Sequence, residues 1–94
     1  MQGGIRPCIC VSNDINNTWS SVAQFIPLTS QCKKKLPIHY ILSKSDYKFL
    51  KSDSITLTEQ LTTQCVDNVV RFIGRINEAD ITNIKECIKI QLNI

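Results

Sequence analysis

The chain has 94 residues, of which 43% are hydrophobic and 20% charged, and a formal net charge of +3. That composition describes one small soluble domain, with a core large enough to fold without disulfide or metal staples. It excludes a membrane span, because no apolar run approaches the ~18 residues a spanning helix needs. The mild positive charge permits a nucleic-acid partner without requiring one.

The sequence opens on Gln2-Gly3-Gly4-Ile5-Arg6-Pro7. A Gly-Gly pair allows a tight turn or close approach to a ligand. Arg6 carries a planar fork of donors suited to phosphate, and Pro7 stiffens the backbone behind it. Residues 5–11 read as a first strand. The segment 12–17 is dense in Ser, Asn and Asp and reads as a turn-rich loop. Residues 22–28 form a second apolar segment, and Pro27 within it predicts an edge strand or a bulge rather than a central strand. Thr29-Ser30-Gln31 is its polar end. The basic run Lys33-Lys34-Lys35 leads through Leu36-Pro37 into a strand over 38–42, which holds the lone histidine, His39.

Residues 43–52 read as a lysine-rich loop anchored by Tyr47 and Phe49. Residues 54–61 alternate apolar and polar in the manner of a half-buried strand, and Glu59 and Gln60 fall on it. Residues 69–74 read as a further strand. The period then changes. Ile81, Ile84, Ile88 and Leu92 share one face of a helix, with Asn77 as N-cap and Glu78 and Asp80 in the first turn. Short strands followed by one amphipathic helix make an α+β protein, mostly β: a small barrel-like sheet with a helix packed on it.

Five cysteines (Cys8, Cys10, Cys32, Cys65, Cys87) are an odd number without framework spacing. With no charged-then-apolar leader they read as reduced thiols of a cytoplasmic protein. Cys8-Ile9-Cys10-Val11 reads as a buried strand rather than a metal clip. One histidine and no Cys-x-x-Cys pair argue against zinc, and no cofactor fingerprint is present. What remains is Arg6, Thr29-Ser30-Gln31, the lysines 33–35 and Glu59-Gln60. Taken singly, each has an ordinary structural reading. Together they meet the modest demands of RNA cleavage by transesterification, in which the substrate brings its own 2′-OH nucleophile and the protein supplies positioning and charge stabilisation.

Taken in order, these motifs resemble the MazF/PemK family of toxins. The elements are Gln2-Gly3-Gly4-Ile5-Arg6-Pro7, Ser12-Asn13-Asp14, Pro27-Leu28-Thr29-Ser30-Gln31, Lys35-Leu36-Pro37-Ile38-His39, Asp53-Ser54-Ile55 and Glu59-Gln60. The resemblance implies an SH3-like barrel of the MazF/PemK/CcdB type, acting as a homodimer in a type II toxin–antitoxin system. It implies a sequence-specific, metal-independent endoribonuclease that cuts single-stranded mRNA, with no cofactor, and an antitoxin protein as partner. Arg6 and Thr29 take the family's catalytic positions. Arg6 neutralises the phosphate and protonates the leaving oxygen, and Thr29 hydrogen-bonds a phosphate oxygen. Gln2, Gly3, Gly4, Ser30, Gln31, Glu59 and Gln60 line the substrate side. Residues 1–94 then form one toxin domain that lacks the family's N-terminal strand, with Met1 where the family carries a Glu. Thr62 and Thr63 replace the Arg-Thr that follows the E-Q motif. The alternative that these departures leave open is a catalytically impaired toxin acting as an antitoxin- or RNA-binding module.

Overall fold

The structure is a computed structural model that describes residues 5–31 and 34–94. Five strands and two helices follow in the order β1 (Cys8–Cys10), α1 (Asp14–Trp19), β2 (Val22–Thr29), β3 (Tyr40–Leu42), β4 (Ser54–Thr56), β5 (Thr62–Cys65) and α2 (Glu78–Leu92). The architecture is the expected one, an antiparallel sheet with a C-terminal helix.

β2 organises the sheet. Along one edge it pairs with β1, with Ile9 opposite Ile26. Along the other it pairs first with β5, from Val22 opposite Cys65 to Phe25 opposite Thr62, and then with β4, where Leu28 lies opposite Thr56. β3 completes the sheet beyond β4. Pro27 therefore sits on the central strand, not on an edge. The N–H of Leu28 bonds Pro7 O and the N–H of Val11 bonds Gln24 O, so even-numbered residues of β2 serve β1. The N–H that Pro27 lacks would point to the other edge, in the gap between the end of β5 and the start of β4. Only the Pro27 carbonyl is needed there, and it accepts from Leu57 N–H at 2.9 Å. The proline marks the hand-over from one partner strand to the next.

The core follows the strand alternation. Ile9, Ile26, Leu28 and Leu42 point inward with Tyr47 and Ile84. Phe25 is buried next to Ile26, so β2 is covered on both faces where β1 and β5 flank it. β1 obeys the same alternation: Cys8 and Cys10 are exposed and only Ile9 is buried. The expected buried cysteine strand is thus replaced by an edge strand with one inward residue.

Three further expectations are corrected. The segment after β1 contains α1, because the Asn13 side chain accepts from Asn16 N–H and caps a helix that the Asn-rich composition disguises as a loop. Glu59 and Gln60 lie on a 3₁₀ turn, Thr58–Gln60, that follows β4 rather than on the strand itself. Residues 69–74 form no strand. Val70 and Phe72 are exposed, no neighbouring strand offers them a ladder, and β-prone side chains without a partner do not fix a strand.

α2 begins as expected: Asn77 Oδ1 accepts from Asp80 N–H at 2.8 Å. It ends at Asn93, whose left-handed conformation lets its N–H and that of Ile94 return to carbonyls of the last turn. Ile84 is buried in the core, whereas Leu92, in the last turn, is exposed. The helix is tied down by one carboxylate. Asp80 accepts from the Tyr40 hydroxyl at 2.5 Å through one oxygen and from the Tyr47 hydroxyl through the other. Asn77 N–H donates to the Tyr47 hydroxyl and the Asn83 amide to that of Tyr40. The strand β3, the loop after it and the helix N-terminus are thereby joined.

Asp80→Ala removes two charge-assisted bonds and is expected to cost about 2–4 kcal/mol in chemical denaturation; an unchanged midpoint would contradict the clasp. Both phenols are held above their ordinary value of 10.0, Tyr40 first by its bond to Asp80 and Tyr47 first by burial. The fold therefore favours the neutral phenols. Their contribution is whole below about pH 10 and is lost as pH rises through the raised values. The melting temperature of the parent is expected to fall more steeply above about pH 10 than that of the Tyr40→Phe/Tyr47→Phe variant. At Gly74 an added Cβ would stand 2.4 Å from the Phe49 ring. Gly74→Ala is accordingly expected to destabilise by about 1–3 kcal/mol, read in the same titration.

Candidate nucleic-acid interface

Residues that face each other across an antiparallel sheet share a face, so the strand registers show what the sheet presents outward. Ile9, Ile26, Leu28 and Thr56 belong to the inner rows and all are buried. The outer rows lie between them. β1 pairs Cys8 with Pro27, and its ladder continues through the bond from Leu28 N–H to Pro7 O at 3.1 Å. One residue further, the same register sets Arg6 opposite Thr29. Thr29 in turn lies opposite Ile55 of β4, and Ile55 opposite Ile41 of β3. Arg6 and Thr29, separated by 22 intervening positions, thus fall opposite each other where this register is continued past the end of β1.

Arg6 is exposed. Neither the contact of His39 with Glu59 nor that of Lys89 with Glu86 involves the Arg6 guanidinium. Thr29 is half-buried at the strand end, where its hydroxyl donates to Gln31 O at 2.8 Å and accepts from Gln31 N–H at 3.2 Å. This local turn holds Ser30 and Gln31, both exposed, beside the row. To donate to a phosphate oxygen the Thr29 hydroxyl need only turn from the Gln31 carbonyl, while the Gln31 N–H continues to hold its oxygen. Gln2, Gly3 and Gly4 lie outside the described residues.

The other expected pair stands elsewhere on the same face. Continued one residue past Tyr40 opposite Thr56, the β3–β4 register places His39 beside Leu57. That is two residues along the strands from the Arg6–Thr29 row, roughly 7 Å at the rise of a strand. Glu59 reaches back from its 3₁₀ turn so that both carboxylate oxygens approach His39 Nε2, at 2.9 and 3.0 Å. Gln60 is exposed next to it. His39, which reads in the sequence as an ordinary strand position, is thereby joined to a candidate site residue.

Among the described residues no three His, Cys, Asp or Glu side chains converge as metal ligands would, and no helix is long and apolar enough to cross a membrane. The Cys8 thiol is pushed up chiefly by burial, then by Cys10, which leaves it a weak nucleophile. The chemical resources of the outer face are thus a guanidinium, a hydroxyl and a carboxylate held by an imidazole. That set binds and stabilises phosphate and ribose groups.

Comparison with known proteins agrees with this reading of the fold. Residues 1–92 match the family model described as PemK-like, MazF-like toxin of type II toxin–antitoxin systems. The chain is 33% identical over 92 residues to endoribonuclease EndoA of Bacillus subtilis, covering 97% of this chain and 78% of that protein. It is 31% identical over 94 residues to endoribonuclease MazF of Staphylococcus saprophyticus, covering 99% and 78% respectively. Among solved structures, Mycobacterium tuberculosis toxin MazF-mt6 superposes with a TM-score of 0.82 at 15% identity, over 95% of this chain and 87% of that one. A mycobacterial endoribonuclease in complex with its cognate antitoxin superposes with a TM-score of 0.83 at 20% identity, over 97% and 84%. At such identities these structures speak for the fold alone, whereas the family match spans nearly the whole sequence. The chain belongs to the PemK-like, MazF-like toxins of type II toxin–antitoxin systems.

Proposed function

We propose that this chain is the toxin of its pair and cleaves single-stranded mRNA at a specific sequence by attack of the ribose 2′-OH. What supports the reading is the β1–β2 register, which runs to Cys8 opposite Pro27 and is extended by the bond from Leu28 N–H to Pro7 O; continued one residue beyond β1, it brings Arg6 opposite Thr29. In the reaction the 2′-O–P bond forms as the P–O5′ bond breaks, leaving a 2′,3′-cyclic phosphate and a 5′-hydroxyl. One proton leaves the 2′ oxygen and one is taken up by the 5′ oxygen, so no water is consumed and the step needs neither metal nor cofactor.

Negative charge builds on the phosphate as five bonds form around phosphorus. The Arg6 guanidinium neutralises it and donates toward the departing oxygen. The Thr29 hydroxyl, released from Gln31 O, donates to a second phosphate oxygen. Donors aimed at developing charge are typically worth about 100- to 1,000-fold in rate each. Ser30, Gln31, Glu59 and Gln60 lie on the path of the strand across the face and contact the flanking nucleotides; the substrate-binding role proposed for Gln2, Gly3 and Gly4 rests on the sequence motif.

The same reading includes partners. Trp19, Val70 and Phe72 are exposed by more than 60%, and apolar side chains so displayed suit a second copy of the chain and an antitoxin. A bacterial toxin acting on mRNA works in the cytoplasm.

Arg6→Ala and Thr29→Ala are each expected to lower cleavage of a single-stranded mRNA transcript at least about 100-fold, with circular dichroism and melting temperature unchanged. Parent-like cleavage by both variants would overturn the assignment. In sedimentation at micromolar concentration the chain is expected to run at twice its monomer mass, and a purely monomeric species would remove the homodimer from the reading.

A further inference from the structure

His39 and Glu59 form the most heavily built polar contact on the outer face, and their accessibility is unequal. The His39 side chain is 1% exposed and that of Glu59 30%. The imidazole is therefore the buried support and the carboxylate the presented group. The support is fixed from several sides. Leu36 N–H donates to His39 Nδ1 at 3.1 Å, so Nδ1 carries no proton in this bond and Nε2 is the nitrogen that donates to Glu59. His39 N–H returns to Leu36 O at 3.0 Å. On either side, the Thr58 hydroxyl donates to Ile38 O at 2.7 Å and Tyr40 N–H to the Thr56 hydroxyl at 3.0 Å. The turn that carries Glu59 and the segment that carries His39 into β3 are stitched together next to the contact itself.

We propose that His39 is a positioning residue, which locks the Glu59 carboxylate in one orientation as a hydrogen-bond acceptor for the RNA strand crossing the outer face. The inference rests on the RNA-cleaving reading and extends it by assigning His39 a task. A carboxylate left on three rotatable bonds would lose conformational freedom on each binding event, whereas one already held by a buried donor has lost it beforehand. Bridged by a single Nε2–H, both oxygens keep further acceptor capacity on a side chain that is 30% exposed.

A double-mutant cycle tests this directly. Initial rates on a single-stranded mRNA transcript are measured against transcript concentration for the parent, His39→Ala, Glu59→Ala and the double variant. His39→Ala and Glu59→Ala are each expected to raise KM about tenfold, the loss of one charge-assisted bond, with kcat little changed. The double variant is expected to be no worse than Glu59→Ala. His39→Gln, whose amide donates from a similar position, is expected to recover most of the loss, which a role in packing alone would not allow. Additive losses in the double variant, or a KM for Glu59→Ala equal to the parent's, would overturn the proposal. If the parent leaves the transcript intact, the cleavage reading fails on its own, and the same cycle read as transcript retained on filters decides the role of His39 by the same criteria.

Discussion

The structure depends on β2 having three partners. A strand has two edges, and β2 uses one for β1 and divides the other between β5 and β4. The division is possible because Pro27, which cannot donate, stands where one partner has ended and the next begins. The candidate site is arranged around this strand. Its polar end carries Thr29, its β1 edge brings in Arg6, and its β4 edge leads through Ile55 to the turn of Glu59. A strand slip of one residue on either edge would turn Arg6 or Glu59 toward the core, so the buried inner rows of Ile9, Ile26, Leu28 and Thr56 also fix the register of the outer face.

The two polar contacts that brace the sheet divide the work. Asp80, with two tyrosine hydroxyls, fastens α2 to β3 and the following loop on the core side. His39, with Glu59, fastens the turn after β4 on the outer side. Both pairs join residues distant in sequence, and both leave the Arg6–Thr29 row alone. That row contains no internal ion pair, which keeps its positive charge available for a phosphate.

Much of this was legible in the sequence. The helix over 78–92 was visible from the spacing of Ile81, Ile84 and Ile88 and from its Asn77 cap, since local rules dictate both. The candidate site was legible as an ordered set of motifs, although a single sequence cannot show that Arg6 and Thr29 adjoin; only strand pairing brings them together. The misreadings share a cause. Pro27 was referred to an edge because the hand-over between two partner strands leaves no local trace. Residues 69–74 read as a strand because their composition is β-prone, yet no edge was available to pair with them. Helix α1 hid behind asparagines that both caps and loops favour. His39 carried no signal of its task, because the buried donor and its acceptor lie 20 residues apart.

Metal-independent transesterification on RNA is the reaction proposed for the outer face. The most direct measurement is analysis of fragment ends after incubating the protein with a single-stranded mRNA transcript in the presence of a chelator. The account predicts fragments ending in 2′,3′-cyclic phosphate and beginning with 5′-hydroxyl. Fragments beginning with 5′-phosphate, or cleavage that stops when the chelator is added, would contradict it.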